Sequence, residues 1–266
     1  MRRLMSMLTP ASHNPERRLP SWRMLAVMSF SCAVLASSAL AYHKWDQLIT
    51  QFHERSVRAG FGLEYLDISG RSNTSEADIF SSLGLEKNTP IMSIDLNEAR
   101  ERLLAIGWVE DVFVSRQLPN RLQIMIFERT PLALMQTTSG HKVIDRQGVE
   151  ITEADPALFS HLPVVSGTDA HLSASTVLDM LQTEPELFAD VWAVQLISKR
   201  RWDVHLRSGI TVRLPEEDPG LAWSRLARIE SESKIMARDI AAIDLRIPDK
   251  LVVEPNLLLT GKGQKT

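Results

Sequence analysis

The chain has 266 residues, 44% of them hydrophobic and 24% charged, a balance that supplies one or two folded cores and excludes a disordered chain. The net charge of −3 is unevenly spread: residues 1–23 carry five arginines (Arg2, Arg3, Arg17, Arg18, Arg23) against Glu16, a net +4, so the rest holds −7. So acidic a remainder lacks the clustered cations that nucleic acid requires, and the single cysteine, Cys32, excludes a disulfide framework, a zinc ribbon or a cysteine nucleophile in the part after it.

Residues 24–42 contain no charge and, as a helix, cover roughly 28 Å of a ~30 Å hydrocarbon core. Trp22 stands at one end, Tyr42 and Trp45 at the other, where aromatic rings favour the headgroup interface. The arginines precede the run, so the positive-inside rule puts residues 1–23 in the cytoplasm and the domains after the run on the other side of the membrane, as in a single-pass protein. Ala39-Leu40-Ala41 also fits a signal-peptide cleavage site after Ala41, but the basic region is long and the uncharged run exceeds the usual 7–15 residues of a signal core. The anchor is therefore expected, with cleavage left open. Arg17-Arg18 is followed by Leu19-Pro20, which lacks the rest of a twin-arginine signal. Ser29, Ala33, Ser37 and Ala41 recur every fourth position, a small-residue stripe suited to close helix packing.

Residues 43–62 read as a juxtamembrane linker or a helix leaving the bilayer, broken at Gly60 and Gly62. A short strand is predicted over 63–68, then a turn at Ser69-Gly70. Ser75 with Asp78, and Asp95 with Glu98, are spaced as capping boxes opening two helices. The first puts Ile79, Phe80 and Leu83 on one face and stops at Gly84; the second buries Leu96, Ala99, Leu103 and Ile106 and stops at Gly107. The period then changes to two, with Val112 and Val114, a turn at Pro119-Asn120, and Leu122, Ile124 and Ile126. The order is strand, helix, helix, strand, strand, with both helices on one face.

A second strand-rich region follows directly. Val143-Ile144-Asp145 runs into the turn Arg146-Gln147-Gly148, and residues 162–167 form another short strand. Ser173 opens a helix burying Val177, Leu178 and Leu181, and Pro185 suits the first turn of the next. Trp202, Val204 and Leu206 alternate into a hairpin at Ser208-Gly209, returning through Ile210, Val212 and Leu214. Trp223, Leu226 and Ala227 mark a further helix. Ile243, Leu245 and Ile247 alternate, and Leu251-Val252-Val253 follows the turn at Pro248-Asp249.

No His-Glu-x-x-His or Gly-x-Ser-x-Gly motif occurs. Ser139 to Lys142 and Ser231 to Lys234 match Ser-x-x-Lys but lack the partner motifs of penicillin-binding enzymes. His161 and His171 are isolated, and Glu110 and Asp111 should point to opposite faces of a strand. The residues thus favour a protein without catalysis, metal or cofactor. Small sheets with free edges suit strand addition instead.

The first region resembles a POTRA domain, specifically that of the FtsQ/DivIB bacterial cell-division family, through Leu66-Asp67-Ile68-Ser69-Gly70, Ile94-Asp95-Leu96, the run Trp108 to Arg116, Leu118-Pro119-Asn120 and Phe127-Glu128-Arg129-Thr130-Pro131-Leu132-Ala133. The second is similar to the same family through Val143-Ile144-Asp145 with Gly148, Leu162-Pro163-Val164 with Gly167, Trp202, Gly209-Ile210 and Ile243-Asp244-Leu245-Arg246. The resemblance implies an α+β fold: one N-terminal transmembrane helix (24–42), a POTRA domain (β-α-α-β-β, 63–131), a second domain with a bent antiparallel sheet and helices (132–255), and a flexible tail (256–266). It also implies a non-catalytic scaffold of the divisome, in the inner membrane with its later domains periplasmic, that recruits FtsB-like and FtsL-like partners through the end of the second domain for septum formation and contacts other divisome membrane proteins through the POTRA domain and the membrane helix. Carried onto this sequence, the partner-binding residues are Arg200, Asp244, Arg246, Ile247, Leu251 and Val253, and Ser29, Ala33 and Ser37 pack the membrane helix. Where family members can place an aromatic after the Leu-Arg pair, this chain has Ile247, then Pro248, which removes a donor from the edge. The competing readings are a POTRA-bearing export or assembly factor and a cleaved periplasmic hydrolase.

Overall fold

The computed structural model describes residues 22–248 and 250–256; most of the basic stretch expected in the cytoplasm, and the tail from residue 257, lie outside the described residues. Helix α1 (Trp22–Ser56) is 35 residues with no glycine or proline to interrupt it, a rod of about 50 Å. A π-helical turn over Val57–Phe61 ends it, with Gly60 at φ 90°, a conformation that costs glycine nothing. Residues 24–42 fall within α1, whose side chains at 23–25, 28, 40–43 and 46–47 lie outside the described residues. Among the described residues no helix is long and apolar enough to cross a membrane.

The first sheet has the order β1-β3-β2 (Tyr65–Ser69, Arg121–Glu128 and Val109–Gln117). β1 is parallel to β3 and β3 antiparallel to β2. Helices α2 (Glu76–Leu83) and α3 (Leu96–Leu104) cover one face: Ile79, Leu83, Ala99 and Leu103 meet Val112, Val114, Leu122, Ile124 and Ile126 in one core. The caps form as expected, Ser75 accepting from the Ala77 N–H and Asp95 from those of Asn97 and Glu98. Both expected boxes stay half-made: among the described residues no bond runs from Asp78 back to Ser75, and the Glu98 carboxylate takes Arg102 one turn on.

The second sheet has eight strands in the order β11-β10-β9-β8-β7-β6-β4-β5. They are β4 (Ala133–Thr137), β5 (Gly140–Ile144), β6 (Val164–Ser166), β7 (Val191–Ile197), β8 (Arg201–Leu206), β9 (Thr211–Arg213), β10 (Ile240–Asp244) and β11 (Val252–Pro255). The antiparallel sheet expected here is corrected to a mixed one: β4–β6, β6–β7 and β9–β10 pair in parallel. Parallel neighbours need a crossover rather than a hairpin. Helices α4 (Ala174–Leu181) and α5 (Pro185–Phe188) supply it between β6 and β7, and α6 (Pro219–Ser233) between β9 and β10. Trp223 on α6 is fully buried in this core and donates its indole N–H to the Leu181 carbonyl at 3.0 Å. The alternation read through Ile247 stops at Leu245, which is buried, whereas Ile247 is exposed in a bend.

The two sheets meet through Trp108, packed with Leu134, Val143, Ile151 and Ala154. Beside it Arg129 reaches Asp145 at 2.6 Å; Asp145 is only 1% exposed and also accepts the N–H groups of Gln147 and Val149. Removing Arg129 strands the buried Asp145 charge, a loss of about 3–5 kcal/mol. The neighbouring Glu128 turns back the other way, its carboxylate accepting the backbone N–H groups of Ser72, Asn73 and Thr74. Consecutive residues thus tie the end of the first sheet to its own loop and to the second sheet.

Candidate partner-binding edge

β10 and β11 close the second sheet, with β11 as its terminal strand. Their register puts Asp244 opposite Val252 and Ile243 opposite Val253, and on the other side Asp244 opposite Arg213 of β9. Alternation then divides the strands by face. Ile243 is part of the core, and Leu251 and Val253 pack on it half-buried. Val252, Glu254 and Asp244 lie on the other face, with Arg213 and, one strand further, Asp203 opposite it.

That face carries a chain of charge. Arg213 grips Glu254 with both terminal nitrogens, at 2.5 and 3.2 Å, and lies 4.0 Å from Asp244. Arg246, just past β10, sets its Nε 2.9 Å from Asp244 Oδ1 and 3.0 Å from Oδ2, and its own backbone N–H also donates to Asp244. The Arg246 side chain, and then its backbone N–H, hold the Asp244 carboxyl below the usual carboxylate range. Asp203 behaves oppositely: burial pushes its carboxyl up despite the nearby arginines, and its Oδ1 has no hydrogen-bond partner among the described residues.

The sequence-predicted residues therefore separate. Asp244 and Arg246 form one unit, in which Asp244 orients the guanidinium. Leu251 and Val253 anchor β11 to its own core, leaving Val252, 42% exposed, and Glu254 on the outer face. Ile247 lies exposed beside the unit. Arg200 sits apart, in the β7–β8 turn, 3.6 Å from Glu216. Arg213 and Glu254 were not singled out in the sequence; the alternation Val212 in, Arg213 out was the available signal. On α1, Ser29, Ala33 and Ser37 are exposed, and the two hydroxyls already bond the Ala26 and Val34 carbonyls. The catalytic look-alikes stay dispersed: Ser139 contacts Thr137 while Lys142 pairs with Glu150, and Ser231 bonds the Arg228 carbonyl. Glu110 and Asp111 likewise go separate ways, to Gln147 and Arg100.

Two family models match this architecture. Residues 61–129 match the POTRA domain, FtsQ-type, and residues 133–246 match the C-terminal region of cell division protein FtsQ/DivIB. Curated proteins called cell division protein FtsQ are similar along most of the chain. That of Agrobacterium fabrum is 36% identical over 229 residues, 86% of this chain and 71% of the relative. That of Rickettsia felis is 31% identical over 230 residues, 86% of this chain and 85% of the relative. The chain belongs to the FtsQ/DivIB family of cell-division proteins. The FtsQ of Caulobacter vibrioides is 38% identical over 197 residues, 74% of this chain but only 65% of its own length. The FtsQ/DivIB match ends at Arg246, so the guanidinium unit closes the matched region and β11 lies beyond it.

Proposed function

We propose that this FtsQ/DivIB member is a membrane-tethered, non-catalytic scaffold of the division machinery, and that β11 receives an extended segment of an FtsB-like partner, itself joined to an FtsL-like one. The observation that carries the reading is β11 as the end strand of an eight-stranded sheet, short and followed by no further strand among the described residues. An open edge offers unpaired N–H and C=O groups to a partner strand. Val252 and Glu254 flank the added strand on one face, and Arg246, held in place by Asp244, is ready for a partner carboxylate. Tethering rests on the uncharged run at 24–42 with its basic flank, and Ala33 with its neighbouring serines lets a second helix approach closely. Such a scaffold works only if it stays at the membrane.

Arg246→Glu tests the site. Co-purification of the FtsB-like and FtsL-like proteins should fall at least tenfold, while the variant stays in the membrane fraction and melts within a few degrees of the parent, because the side chain is half exposed and outside the core. Undiminished co-purification would remove Arg246 from the interface.

A further inference from the structure

The first sheet has a second face that no helix among the described residues covers. α2 and α3 occupy the side of Leu122, Ile124 and Ile126; on the other side Phe113 lies directly opposite Met125, and Phe127 follows two residues along β3. All three are open to solvent, at 60%, 40% and 51%. Exposed large apolar side chains in one contiguous group mark an interaction surface. The patch runs into a shallow hollow of about 580 Å³ lined by Met125, Phe127, Gly70, Glu110 and Glu128.

The charge of the hollow says what fits. Glu110 accepts only a neutral amide, from Gln147 at 3.1 Å. Glu128 is held ionised, at about 2, by donors at Thr74, Asn73 and Ser72 that outweigh its burial. Neither carboxylate has an ion-pair partner among the described residues. The other acids on this face are matched: Asp111 has Arg100 at 2.6 Å, and Asp67 has Arg121 at 3.8 Å. An apolar ledge thus ends at the unmatched charge of Glu110, beside Glu128, whose carboxylate oxygens are already taken by the Ser72–Thr74 loop. Arg121, a cation on this face, is taken by Asp67 and lies over the Tyr65 ring, so a second copy docking by this same face brings no free cation for the hollow.

We infer that this face of the first sheet docks a partner segment presenting large apolar side chains next to a lysine or arginine, the apolar groups on Phe113, Met125 and Phe127 and the cation in the hollow at Glu110. The surface is separate from the β11 edge, so one chain can hold two partners at once.

A photo-crosslinking amino acid in place of Phe113, in the full-length protein in its native cells, tests this. The crosslinked peptide should come from another protein and carry Lys or Arg beside large apolar residues. Glu110→Arg should cut the yield at least fivefold, and reversing the partner's cation to Glu should restore it. Running the same crosslink in the Arg246→Glu background separates this contact from the β11 reading, because the yield should persist there. A crosslink to a second copy of this chain, no crosslink, or a yield indifferent to Glu110→Arg would each overturn the inference. Phe127→Ser should lower the yield and Phe127→Leu preserve it, both leaving the far-ultraviolet circular dichroism unchanged, since the side chain faces solvent.

Discussion

Glu128 shows how one carboxylate organises a loop. Three successive backbone N–H groups, of Ser72, Asn73 and Thr74, point at it, and among the described residues these donors have no other acceptor, in a turn that belongs to neither sheet nor helix. Because the folded group titrates at about 2 against an ordinary 4.5, its stabilisation is complete above pH 4.5 and is lost as pH falls from there towards 2. Allowing for solvent screening, it is worth about 2 kcal/mol. Glu128→Gln should therefore lower the melting temperature by about 5 °C at pH 7, and the gap should close as thermal melts are repeated down to pH 2. A gap independent of pH would show that shape rather than charge holds the loop. Arg246 was recognisable in the sequence through its neighbours Ile243, Asp244 and Leu245, but its state was not: a lone arginine reads as a solvated charge, and only the hydrogen bonds to Asp244 show it to be held in place.

Periodicity carried most of the elements. The helical stripes of α2, α3 and α4 and the alternation in β2, β3 and β8 put the expected side chains in the cores, except Phe80 on α2, which faces solvent beside Ile79. β7 escaped, because Val191, Ala193 and Val194 are buried while its later residues are half-covered, a pattern with no clean period of two. Parallel pairing was also illegible: alternation says which face is buried, never which strand lies alongside. Glycine was more informative. Gly70 follows β1 at φ 82°, and a side chain there would put its Cβ 2.1 Å from the Ile126 carbonyl oxygen. Gly70→Ala must therefore move β1 or β3 as well as adopt a left-handed backbone, and should cost at least about 2 kcal/mol, read as a fall in the denaturation midpoint. An unchanged midpoint would mean that the turn relaxes without disturbing the sheet.

On the scale of the molecule, a long N-terminal helix leads into two sheets joined by Trp108 and the Arg129–Asp145 pair. The joint was legible only as a run of residues, Glu128-Arg129-Thr130-Pro131, because its purpose depends on contacts from both sides. It links the two surfaces proposed to face partners, the β11 edge and the outer face of the first sheet, within one chain. The edge is the centre of this account, and amide hydrogen exchange reads it directly. In the full-length protein, reconstituted in a membrane alone and with its co-expressed FtsB-like partner, the amides of Val252, Val253 and Glu254 should exchange at least tenfold more slowly in the complex. Unchanged exchange at β11 in a complex that has formed would contradict strand addition there.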